Sequence, residues 1–80
     1  MKQRVEEFEK VKKIIETAYV DGGIFNTRNV VGDEIETIFE GKFFTVDICD
    51  YYGYFEVFGM TNEEFDELRK FYYELGEKNG

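Results

Sequence analysis

The chain has 80 residues, with 18 acidic and 10 basic side chains, no histidine and no proline, for a formal charge of −8. Its length allows one domain, residues 1–80, and 42% apolar content with nine Phe and six Tyr separates it from acidic disordered tails, which are poor in aromatics. Apolar runs of two or three residues fall far short of the ~20 that span a bilayer, the N-terminus is charged, and the lone Cys49 has no disulfide partner, so a soluble, unprocessed, cytoplasmic protein is expected.

Residues 3–19 place Val5, Phe8, Val11, Ile15, Ala18 and Tyr19 at spacings of three and four, with Ile14 widening the stripe, and charges on the other face. This spacing predicts an amphipathic helix. Glu6–Lys10 and Glu9–Lys13 are i,i+4 pairs in the favourable order. Asp21-Gly22-Gly23 ends the helix, and residues 24–32 are either a loop or a short fourth strand within 24–31.

Three strand signals follow. In residues 34–39, Ile35, Thr37 and Phe39 alternate with Glu34, Glu36 and Ile38, and the first set is expected to face the core. Glu40-Gly41 forms a turn, and residues 42–49 then turn Phe44, Val46 and Ile48 inward. After a turn around 50–53, residues 54–58 point Phe55 and Val57 inward and Tyr54, Glu56 and Phe58 outward.

Thr61 with Glu64 three residues later is a capping box, and Met60 with Phe65 is its hydrophobic staple. The second helix has the stripe Phe65, Leu68, Tyr72 and Leu75, with Phe71 alongside and Gly76 as its C-cap. The expected fold class is α+β, in the order α-β-β-β-α, with a three-stranded antiparallel meander and both helices packed on one face.

Reaction chemistry is missing from the chain. Without histidine it lacks the commonest general base and metal ligand, it has no serine, and it holds no phosphate-binding glycine loop or calcium loop, so neither catalysis nor a cofactor is expected. Asp33 with Glu40-Gly41-Lys42 formally matches the acid plus Glu-x-Lys pattern of metal-dependent nucleases, but the pattern spans a hairpin turn on a surface that repels phosphate. Glu34, Glu36 and Asp47 offer oxygens to a hard cation, a property that acidic surfaces share without using it. Cys49 lies among carboxylates with no base to activate it and reads as structural.

The charge is placed. Residues 33–67 hold eleven carboxylates against the single base Lys42, a local net charge of −10, whereas each flank sums to +1. A concentrated negative field steers cationic partners and repels nucleic acid and anionic membrane, so the expected partner is a basic protein surface. The meander would gather Glu34, Glu36, Glu40, Asp47 and Glu56 on its outer face, at cross-strand spacings of about 4.8 Å that are of the order found along a nucleic-acid backbone. Tyr51, Tyr52 and Tyr54, beside Asp50 and Glu56, are candidate anchors, since a tyrosine ring buries area at small entropic cost and stacks on guanidinium. Acidity for solubility, and aromatics that merely cap a small core, are the competing explanations.

A short helix, an acidic meander and a closing helix on a histidine-free chain of this size resemble phage-encoded inhibitors of host defence, in particular anti-CRISPR proteins that inhibit Cas9 by imitating DNA. The resemblance lies in element order and charge placement and carries no residue string. It implies a partner whose arginine- and lysine-lined groove normally holds nucleic acid. From it follows the expectation of a non-enzymatic inhibitor of a defence nuclease, monomeric or homodimeric. The alternative is a small assembly module that dimerises or docks through Phe43, Phe58 and the tyrosines.

Overall fold

The computed structural model describes residues 2–26, 35–49 and 53–79, which run α1 (Lys2–Thr17), β1 (Ile24–Asn26), β2 (Ile35–Glu40), β3 (Thr45–Cys49), β4 (Tyr54–Phe58) and α2 (Asn62–Asn79). The class is α+β, and β2, β3 and β4 form the antiparallel meander between two helices. The stretch after α1 supplies a fourth strand: β1 pairs in parallel with β4, giving the sheet order β1-β4-β3-β2. β1 and β2, consecutive in the chain, therefore lie at opposite edges, and β4 is interior.

One face of the sheet carries the core. Val46 pairs with Val57 and Ile48 with Phe55, and these four meet Phe8, Val11 and Ile15 of α1 and Leu68 and Tyr72 of α2. Val11, Ile15, Val46, Phe55 and Leu68 have no exposure at all, and burying a side chain of this kind stabilises by about 1.5–3 kcal/mol. Phe8 meets Phe44 edge-on at 6.1 Å, and Tyr72 meets Phe55 at 5.4 Å, so both helices pack on the same face. Val5, expected in the α1 stripe, is instead 59% exposed.

Strand β2 departs from simple alternation. A bulge between Thr37 and Phe39 leaves Ile38 as an extra residue, and both Ile38 and Phe39 pack against the core. Before the bulge the register is opposite to the expected one: Ile35 pairs with Cys49 and Thr37 with Asp47 on the outer face, while Glu36 pairs with Ile48 on the helix side. The period of two survives on each side of the bulge but shifts across it.

The capping box is formed as expected. Glu64 N–H donates to Thr61 Oγ1 at 3.2 Å, and Thr61 N–H donates to Glu64 Oε1 at 2.9 Å, satisfying two of the amides a helix start leaves open. Met60 and Phe65 both pack half-buried on the core. Gly76 is not a C-cap: α2 continues through it to Asn79.

Two α1 side chains tie the ends of the sheet to the helices. The Glu7 carboxylate accepts the backbone N–H groups of Lys42, Phe43 and Phe44 at 2.8, 2.8 and 2.7 Å. Burial pushes the Glu7 carboxyl up, but the amides of Phe43, Phe44 and Lys42 together outweigh it and hold the group below its ordinary value. A Cβ on Gly41 would stand 2.6 Å from this carboxylate, which would have to shift from the three amides it accepts. Arg4 forks onto Glu64, donates from Nη2 to the Gly59 carbonyl at 2.8 Å, and lies 4.7 Å from the Phe44 ring centre. Gly59 adopts φ 91°, and a Cβ there would collide with the Phe43 carbonyl oxygen.

Candidate partner-binding surface

The strands carry Glu36, Glu40, Asp47 and Glu56 and not one lysine or arginine. Their positions differ more than their spacing suggests. Glu40 and Asp47 share the outer face, as the registers Glu40–Thr45 and Thr37–Asp47 require, whereas Glu36 emerges on the helix side of the same edge. Because β2 is an edge strand, Glu36 and Glu40 are exposed on either side of it. Among the described residues neither has a base within ion-pairing reach; the ion pairs there are Arg4–Glu64 and Lys12–Glu9. Asp47 is half-buried and accepts a hydrogen bond from Thr37 Oγ1 at 2.7 Å.

Two expected surface residues are not at the surface. Glu56 is 2% exposed and Tyr54 is 8% exposed. Their side chains lie on the outer face, opposite Asp47 and Cys49, on a strand flanked by β1 on one side and β3 on the other. Glu56 and Tyr54 are therefore corrected from contact residues to residues of the folded body. Cys49 beside them is buried and free. Glu34, Asp50, Tyr51 and Tyr52, and Asp33 of the nuclease-like pattern, lie outside the described residues. Phe43 and Phe58, expected to be open, are half-buried, and Phe43 stacks within 5.7 Å of Arg4 and 5.8 Å of Lys42.

A second acidic surface belongs to α2. Glu63, Asp66 and Glu67 are exposed and line one open groove with Glu64 and Lys70. Their spacing of three and four puts them in the first turns of α2, where the helix dipole favours negative charge. Both roles hold together, since a charge that favours the helix start also remains available to solvent. The charged groups of these surfaces are carboxylates apart from Lys70, and no group of three or more His, Cys, Asp or Glu among the described residues is arranged to hold a metal ion. No helix among those residues is long and apolar enough to cross a membrane.

The class thus defined is a small α+β domain with a base-free, carboxylate-bearing sheet edge. No family model, curated protein or solved structure matches the chain.

Proposed function

We propose that the protein is a non-enzymatic, cytoplasmic inhibitor that occupies a basic, nucleic-acid-binding surface of a host defence nuclease such as a Cas effector, as a DNA mimic. The observation that carries this reading is the edge strand β2, where Glu36 and Glu40 stand exposed with no base in reach among the described residues, on a sheet whose strands contain no lysine or arginine. A sheet shaped for stability alone would interleave lysines at such positions, because like charges repel and opposite charges across strands stabilise. Unneutralised carboxylates on a rigid edge suit a partner that brings the cations, and much of the attraction then comes from the field that phosphate would otherwise feel. Asp47, with one oxygen on Thr37, extends the surface on the outer face.

The assembly-module reading has one observation in its favour: β2 is an edge strand, open to pairing with a second copy. Self-pairing would bring Glu36 and Glu40 of two copies against each other, which disfavours it.

Competition tests the proposal. A guide-loaded Cas effector mixed first with this protein is expected to lose both DNA binding and cleavage, with the effect weakening as salt rises; effector loaded first with DNA is expected to be spared. A stable complex of effector, DNA and this protein on size-exclusion chromatography would eliminate mimicry. A salt-insensitive, concentration-dependent dimer that leaves the effector active would favour the assembly module.

A further inference from the structure

The segment between α1 and β1 and the last turns of α2 form an open groove of about 370 Å³ that is remote from β2, at the opposite edge of the sheet. It is lined by the rings of Tyr19, Tyr72 and Tyr73, by the carboxylate residues Asp21 and Glu77, and by glycines, of which Gly76 leaves room beside the Tyr19 hydroxyl. Among the described residues no lysine or arginine lines it. The geometry points to a receptor for a single arginine side chain of a basic partner protein, with guanidinium against the rings of Tyr19 and Tyr73, which the buried Tyr72 ring backs, and its charge met by Asp21 and Glu77.

Three features support that occupant. The rings are already set at angles to one another: Tyr19 and Tyr72 lie 5.3 Å apart at 39°, and Tyr72 and Tyr73 lie 5.8 Å apart at 66°. A cation within about 6 Å of such faces is attracted by the ring quadrupole, and arginine adds planar stacking. Second, the hydroxyls are engaged, Tyr19 Oη donating to Asp21 Oδ1 at 3.3 Å and Tyr72 Oη donating to the Val20 carbonyl. The fixed hydroxyls hold the rings in place. Burial, and then the Asp21 charge, push the Tyr19 hydroxyl above its ordinary pKa, so it remains protonated at neutral pH. Third, Tyr73 is 45% exposed, large for an aromatic on a folded surface, and the chain itself places a guanidinium against it: Arg69 lies 6.0 Å from the Tyr73 ring centre, lining the neighbouring groove.

The assignment rests on the functional reading only for its partner class, a basic protein, and it is tested without that partner. In a titration of isotope-labelled protein with N-acetyl-arginine amide, amide chemical shifts are expected to move for residues 19–23 and 72–77. The uncharged isostere N-acetyl-citrulline amide should leave them in place. Asp21→Asn with Glu77→Gln, both exposed and isosteric, should abolish the arginine response while the spectrum stays dispersed. Tyr73→Leu, which keeps apolar area but removes the ring, should weaken it about two- to fivefold. Equal shifts with citrulline, shifts centred elsewhere, or a response untouched by these variants would overturn the assignment. Arginine binding intact in a protein that fails to compete with DNA would count against the functional reading alone, and competition without arginine binding would count against the groove alone.

Discussion

Arg4 and Glu64 join the first turns of the two helices through a two-bond fork, Nε to Oε2 at 2.8 Å and Nη2 to Oε1 at 2.7 Å. Glu64 is also the acid of the capping box, so one carboxylate closes the start of α2 and anchors α1 to it. The Arg4 hydrogen bond is the main cause that holds the Glu64 carboxyl down at about 2, against the opposing effect of burial.

Acid should loosen this link in a definite window. The folded-state pKa of Glu64 lies below its ordinary 4.5, so its contribution to stability is complete above pH 4.5 and is lost as pH falls through about 2. Arg4→Met should remove part of that dependence, flattening the fall in stability between these pH values in urea melts. An unchanged slope would show that the fork does not set the Glu64 ionisation.

Thr61→Ala should cost about 1 kcal/mol through loss of the N-cap and its reciprocal bond. Binding to the partner should survive it, since Thr61 supports a helix start and bears no charge. A denaturant midpoint equal to wild type would contradict the cap's role.

Gly41→Ala should destabilise by about 1–3 kcal/mol, because the new methyl meets the Glu7 carboxylate in a turn that three hydrogen bonds hold tight. In the Glu7→Ala background the same change should cost much less, since its collision partner is gone. Strict additivity in the double-mutant cycle would separate the two residues.

Charge reversal should divide the strand carboxylates. Glu36→Lys and Glu40→Lys, on exposed edge positions, should each change stability by no more than about 0.5 kcal/mol while weakening binding to a basic partner. Glu56→Lys, at a site 2% exposed, should cost on the order of 3–5 kcal/mol or prevent folding. Thermal melts of the three variants side by side check this, and a well-folded Glu56→Lys would return that residue to the surface.

The two helices, the capping box and the inward sets Phe44, Val46, Ile48 and Phe55, Val57 were legible in the chain because each rests on contacts a few residues apart: helical spacing, a cap three residues from its partner, alternation along a strand. The candidate surface was legible in composition only. Tertiary structure decided that Ile24–Asn26 adds a parallel strand beside β4, absent from any local pattern, and that Glu56 and Tyr54 on β4 are buried. It also decided the bulge at Ile38, which sends Glu36 to the helix side, since alternation states which residues share a face but not where the register slips. Arg4 and Glu64 lie 60 positions apart, and Glu7 reaches amides 35 to 37 positions away, distances over which a sequence specifies a charge but not its partner. The groove of Tyr19, Tyr72 and Tyr73 arose in the same way, from the segment after α1 and the last turns of α2, which only packing on a common core brings together.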